Sequence, residues 1–249
     1  MSEFVTVGYR PIAVERRPGR APGLFWMGGY RSDMSGAKAM ALDRLGAEHG
    51  LAVTRFDYSG HGASGGDVLE GTISRWLDES LAVFATTSGP QVVVSSSMGS
   101  WLALLLVRAL RRQGDGRVLG LVLIAPAVDM TEELMLAGMT KKQRALLDGQ
   151  GYVDDPSAYS DTPYRITRAL IEDGRQHLMF GAAIETGCPI AILQGGRDRD
   201  VPKAHALKLM QHLVDDPVTF TLVPDGDHRL SRPEDLELLA ATVRQMIAD

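Results

Sequence analysis

The sequence predicts an α/β fold, with a mainly parallel sheet covered by helices on both faces. Two features carry this: short apolar β-branched runs recur along the chain, and amphipathic helical segments separate them. A third is its size: 249 residues with 45% hydrophobic and 23% charged residues, enough chain for a large core in one unit. A single domain over residues 1–249 is expected.

Taken in order, Phe4 to Tyr9 and Ile12 to Arg16 read as an opening antiparallel pair. Leu24 to Met27 is the first buried strand, Gly36 to His49 a helix that Gly50 can end, and Leu51 to Phe56 the next strand. Ile73, Trp76, Leu77, Leu81 and Phe84 share one face of a second helix. Gln91 to Ser95 is a strand running almost directly into Trp101 to Leu110, a helix apolar nearly all round. Val118 to Ala125, Ile190 to Leu193 and Val218 to Val223 are further strands. Pro202 to Val214 and Pro233 to Ile247 are helices opened by proline.

One segment breaks the alternation. Residues 130–188 hold helical signals and no convincing buried strand. Asp129 with Glu132, and Thr140 with Gln143, have capping-box spacing; Thr162-Pro163 opens a further helix that Gly174 closes. An insertion of this length between strands predicts a helical cap over a site.

Net charge is −5, and the basic residues are scattered. Nucleic-acid binding needs a clustered Lys/Arg footprint, so it is not expected. The lone Cys188 permits no intrachain disulfide. No signal-peptide pattern is evident, and the longest apolar stretch, Val118 to Val128, is too short to span a bilayer. A cytoplasmic location is expected, with oligomeric state left open.

Four features carry chemistry. At Ser95-Ser96-Ser97-Met98-Gly99, a strand turns into a helix with a serine at the apex, as in the G-x-S-x-G nucleophile elbow of α/β-hydrolases. Ser95 replaces the first glycine but stays small. After the strand 190–193 comes Gly195-Gly196-Arg197-Asp198-Arg199-Asp200-Val201-Pro202. Asp198 sits at the strand's C-terminal edge, where α/β sheets build sites, while Asp200 suits a helix cap. After the last strand comes Pro224-Asp225-Gly226-Asp227-His228. His49, His61, His177, His205 and His212 lie in helices, a glycine turn or the cap, and read as structural. Serine, aspartate and histidine thus appear in the order this fold uses. A serine hydroxyl becomes nucleophilic when an imidazole takes its proton, and a carboxylate orients that imidazole. Finally, Gly28-Gly29-Tyr30-Arg31 follows the first buried strand, where one oxyanion-hole amide arises. Tyr30 and Met98 are the candidate donors.

With these motifs in place, Gly28 to Ala39 and Arg55-Phe56-Asp57-Tyr58-Ser59-Gly60-His61-Gly62-Ala63-Ser64 resemble one branch of the α/β-hydrolases. That branch holds palmitoyl-protein thioesterase, mycophenolic acid acyl-glucuronide esterase and their bacterial relatives. The resemblance extends to Ile166 to Arg175 in the cap. It implies hydrolysis of carboxylic esters or acyl thioesters on a Ser97–His228–Asp198 triad, with no metal or organic cofactor and a small-molecule substrate. Leu134, Met135, Met139, Leu178, Met179 and Phe180 in the cap are candidates for an acyl pocket, since flexible thioethers adapt to apolar ligands. Carbon–carbon bond or lactone hydrolysis is an alternative on the same triad, and a non-catalytic ligand receptor is another on the same fold.

Overall fold

The computed structural model describes residues 3–156 and 163–248. Strands β1 (Glu3–Val7) and β2 (Arg10–Arg17) form the expected antiparallel pair. Then follow β3 (Arg20–Met27), α1 (Ala37–His49), β4 (Leu51–Phe56), α2 (Ile73–Ala85), β5 (Gln91–Ser96) and α3 (Met98–Arg112). Next come β6 (Val118–Ile124), α4 (Lys141–Gln150), β7 (Tyr152–Asp155), β8 (Tyr164–Thr167) and α5 (Arg168–Gly174). The chain finishes with β9 (Ile190–Gly195), α6 (Lys203–His212), β10 (Val218–Val223) and α7 (Pro233–Ala248). The main sheet has eight strands in the order β1-β2-β4-β3-β5-β6-β9-β10. β4 onward are parallel, and β1 and β2 are antiparallel.

Alternation along the strands builds two cores. Phe25, Met27, Val93, Leu121, Leu123 and Ile192 face one side, where α2, α3 and α6 cover them. Leu24, Trp26, Val92, Val94, Val122 and Ile124 face the other, against α1 and α7. Because both faces are covered, the strands read as continuous apolar runs. Gly50 adopts a left-handed conformation (φ 66°) and ends α1 as its sequence position predicts.

The second helix differs from its apolar pattern. Its buried face also holds Glu79 and Ser80. Glu79 is fully buried because it bonds Arg10 Nε at 2.8 Å and accepts the Ser59 N–H at 2.9 Å. A buried carboxylate needs such partners.

The insertion between β6 and β9 corrects the expectation of an all-helical cap. β7 and β8 form an antiparallel hairpin within it. Val153 and Ile166 from that hairpin join Met139, Leu147 and Ile171 in a small core of the insertion's own. Four-residue strands alternating with charged residues leave no buried-run signal, which is why they read as loop. Of the expected Thr162-Pro163 helix start, Thr162 lies outside the described residues. The helix instead begins at Arg168, where Thr167 Oγ1 accepts the Leu170 N–H. Gly174 does not stop it in a left-handed turn but packs against Thr131, leaving no room for a Cβ. The Thr140–Gln143 capping box forms as expected. Asp129 caps no helix: at φ 55° it turns its carboxylate to the amides of Met179 and Phe180, at 2.9 to 3.0 Å.

Removing one partner of a buried ion pair leaves an uncompensated charge. Arg10→Ala is expected to lower unfolding free energy by about 3 kcal/mol, read from urea denaturation. A loss within experimental error would show that Glu79 is held by the Ser59 amide alone.

Candidate active site

Every sheet strand that feeds the site ends on the same edge, and strain collects there. The five non-glycine residues with positive φ among the described residues are Arg31, Ser97, Ala125, Asp129 and Leu230. Each follows the C-terminal end of β3, β5, β6 or β10. Such backbone is costly and persists where surrounding structure over-determines it.

Ser97 sits between β5 and α3 with φ 54° and ψ −120°. Its N–H donates to the Ile124 carbonyl at 2.9 Å. Two residues on, Gly99 passes so close to the Met27 and Gly28 carbonyls that a Cβ would collide with both. This is the physical reason for the elbow's second glycine. The position of the first tolerates serine because the buried Ser95 hydroxyl finds partners in Ser100 Oγ (3.2 Å) and the Val122 carbonyl (3.3 Å).

Asp198 follows β9, and its carboxylate is fully buried. Oδ1 accepts the amides of Asp200 (2.9 Å) and Val201 (2.8 Å), and Oδ2 accepts Gln194 Nε2 at 3.3 Å. The remaining bond is from His228 Nδ1, at 2.9 Å. A carboxylate only accepts, so Nδ1 carries a proton, and in the neutral ring Nε2 is the acceptor. His228 and Ser97 line the same two cavities. Among the described residues no hydrogen bond joins their side chains, and catalytic pairs commonly tighten only around substrate.

Tyr30 and Met98 flank Ser97. Neither backbone amide donates a hydrogen bond among the described residues, as an oxyanion hole requires. Gly29 lies against the Ser97 Cβ and the Ser96 carbonyl, where a side chain would be tight. The Tyr30 hydroxyl donates to the Arg165 carbonyl of β8 at 3.2 Å, tying this loop to the cap.

Two cavities open beside Ser97. One, of about 470 Å³, runs past Arg31, Lys38, Arg229 and Asp227. The other, of about 270 Å³, is lined by Ala127, Met130, Leu134, Met135, Ile166 and Val201. Of the six acyl-pocket candidates, Leu134 and Met135 therefore lie beside Ser97. The other four do not. Met139 belongs to the cap's own core, and Leu178 and Met179 border a separate cavity near Arg108. Phe180 packs on the rings of His205 and His212. The reason is Asp129, which pulls the 179–180 backbone down onto the body.

Two residues at the site, Asp200 and Lys38, were given no place in it by the sequence. Asp200 does not cap α6, whose start carries no side-chain cap; with Asp155 it borders the cavity that Leu134 and Met135 line. Ligand atoms of Asp198, Asp200 and His228 lie within 4.8 Å of one another, the one such group among the described residues. The Asp198 oxygens are already satisfied by hydrogen bonds, which suits orienting an imidazole better than holding a cation. Lys38 donates to the Arg229 carbonyl and approaches Ser231 Oγ at 3.4 Å, bracing the segment after His228. Burial, with the nearby Arg229 charge, pushes its pKa down to about 8.

Residues 20–241 match the profile of the Alpha/beta hydrolase family, and the chain belongs to that family. It is a hydrolase. Within the family it is a relative of the palmitoyl-protein thioesterase branch: it is 33% identical over 240 residues to "Palmitoyl-protein thioesterase ABHD10, mitochondrial" of Mus musculus, covering 95% of this chain and 78% of that protein. Its fold superposes on a putative hydrolase from Agrobacterium vitis S4 with a TM-score of 0.94 at 48% identity, covering 99% and 98% of the two chains. The alpha/beta hydrolase domain-containing protein 10 from mouse gives 0.90 at 29%, covering 100% and 98%. Among the described residues no helix is long and apolar enough to cross a membrane.

His61 is buried against Tyr30, Tyr58 and Trp76, with Nδ1 on the Ser59 carbonyl and Nε2 unpartnered among the described residues. Burial, helped by the Arg31 charge, pushes its pKa down to about 4 from 6.5. The unfolded chain therefore takes up the proton first as pH falls. The contribution of this group to stability is full above pH 6.5 and declines toward pH 4, with a slope of at most about 1.4 kcal/mol per pH unit. Urea denaturation between these limits should show a shallower pH dependence in His61→Phe than in the parent; equal slopes would assign the loss to other groups.

Proposed function

We propose that this hydrolase cleaves carboxylic esters or acyl thioesters of small molecules through an acyl-enzyme on Ser97. One observation carries the reading: the strained Ser97 shares its cavities with an imidazole whose Nδ1 is fixed on the buried Asp198 carboxylate. The likeness to a named thioesterase supports the same class of acyl transfer.

In this mechanism the substrate carbonyl oxygen faces the amides of Tyr30 and Met98. Ser97 Oγ attacks the carbonyl carbon while His228 Nε2 accepts its proton. Asp198 holds the ring in the right tautomer and stabilises the imidazolium. The imidazolium then gives that proton to the departing alkoxide or thiolate. Water attacks the acyl-enzyme by the same route and releases the acid. The cavity with Leu134, Met135 and Met130 takes the acyl group, and the one that runs past Arg31 and Lys38 takes the leaving group. A reducing compartment such as the cytoplasm suits the one cysteine, the buried free Cys188.

A fluorophosphonate probe should label Ser97, identified by peptide mapping, and Ser97→Ala should abolish labelling and lower kcat by about 10³-fold or more. Labelling elsewhere would overturn the site; no labelling of folded protein would favour a receptor. Leu134→Ala with Met135→Ala should shift the acyl-length optimum of nitrophenyl esters, whereas Met179→Ala should cost stability and leave that optimum in place. The reverse pattern would put the acyl pocket elsewhere.

A further inference from the structure

The loop that carries Tyr30 has little regular structure to fix it. Its internal bonds are local turns: Ser32 N–H and Oγ to the Gly29 carbonyl, at 3.2 and 3.0 Å, and Gly36 N–H to the Asp33 carbonyl at 3.2 Å. What joins it to the sheet is the backbone of Met34. The Met34 N–H donates to Asp57 Oδ1 at 2.7 Å, and the Met34 carbonyl accepts Arg55 Nη1 at 2.6 Å. Both anchoring side chains leave the end of β4 and are buried.

The other Asp57 oxygen holds a second loop. Oδ2 accepts the Ala63 N–H at 2.8 Å, in a turn where Gly62 (φ 46°) wraps so closely that a Cβ would strike the carboxylate. That turn presents His61, whose ring lies 6.1 Å from the Tyr30 ring, centre to centre, and 5.4 Å from Trp76. Tyr30 is thus supported at its backbone through Met34 and at its ring through His61. One carboxylate connects the two supports.

We propose that Asp57 is a positioning residue for the oxyanion-binding amide of Tyr30. This inference rests on the acyl-transfer reading above. A fixed donor is what oxyanion stabilisation needs, since its advantage comes from not reorganising as charge develops. A misplacement of about 1 Å can cost about 10²-fold in rate. Among the described residues Asp57 forms no ion pair: the Arg55 guanidinium, whose charge acts on it from nearby, pairs with Asp43 at 3.5 Å. It spends its charge on two loop amides, and bonds to an ionised acceptor are the shorter and stronger kind. Burial raises the cost of that charge and pushes the Asp57 carboxyl pKa up. The nearby Ser64 hydroxyl links the Ala13 N–H to the Asp57 carbonyl without any charge, at 2.8 and 2.6 Å. Loop anchoring alone therefore does not call for a carboxylate here.

The test is Asp57→Asn, which keeps the shape but turns an NH₂ toward one of the two amide donors. Steady-state kinetics on a short-chain nitrophenyl ester, corrected by active-site titration, should show kcat down about 10- to 100-fold with KM within about 3-fold. Affinity for a trifluoromethyl ketone, which forms the tetrahedral adduct on Ser97, should fall in parallel with kcat/KM. A purely structural role would lower the melting temperature and leave kcat per titrated site unchanged, and that result overturns the proposal. Arg55→Lys, which loosens the carbonyl side of the same clamp, should lower kcat about 3- to 10-fold. If the Asn variant does not fold, this variant decides, and parental kcat in it overturns the proposal. Ser97→Ala is measured alongside. Full activity there overturns the acyl-transfer reading and the clamp with it; an inactive Ser97→Ala beside an unimpaired Asp57→Asn overturns the clamp alone.

Discussion

The turn at Ser97 is the constraint on which the other features depend. A parallel strand must become a helix within one residue, and the serine backbone takes up a conformation that costs about 1–3 kcal/mol. Two neighbouring strands hold it there. The Ile124 carbonyl at the end of β6 accepts the Ser97 amide, the Ser97 carbonyl accepts Ala127 N–H at 3.2 Å, and the carbonyls ending β3 close over Gly99. Register in the sheet fixes these meetings: Met27 pairs with Ser95, and Ser96 with Ile124. The loops after β3, β6, β9 and β10 then converge around one hydroxyl. A slip of one residue would move every core side chain to the wrong face, so the packing of the two cores and the geometry of the site are one specification.

Much of this was legible in the sequence because the signals are local. Buried strands announce themselves as apolar runs, Gly50 marks a helix end, and Ser97, Asp198 and His228 each follow a strand. What stayed hidden depends on partners distant in sequence. Glu79 stands in an apolar stripe because Arg10 lies 69 residues away. The β7–β8 hairpin consists of strands too short and too polar to register as buried. Asp129 has the spacing of a cap, yet its bonds run 50 and 51 residues ahead to Met179 and Phe180. Those two residues look like pocket lining for the same reason that they pack well against the body: they are large and apolar. Only the direction of the backbone separates the two fates.

The motif around Asp57 shows a middle case. Its residues mark the branch to which the chain belongs, and the sequence alone attaches no role to them. The structure gives Gly62 a reason, the close approach to a carboxylate, and gives His61 one, the ring contacts that shape the Tyr30 environment. A family signature is in this instance the imprint of a mechanical support lying behind the reacting groups.

The inserted segment is stitched to the body at separate points along its length. The Tyr30 hydroxyl meets the Arg165 carbonyl, and Asp129 holds the 179–180 backbone. Ser74 N–H meets Asp173 at 2.8 Å, with its hydroxyl 2.7 Å from His177 Nε2. The first of these shares a residue with the loop after β3 that lies beside Ser97. Evolution or a protein engineer who exchanges this insertion for another therefore cannot cut at β6 and β9 alone: the crossover must carry matching residues at 30, 74 and 129, or the transplanted segment arrives without its moorings.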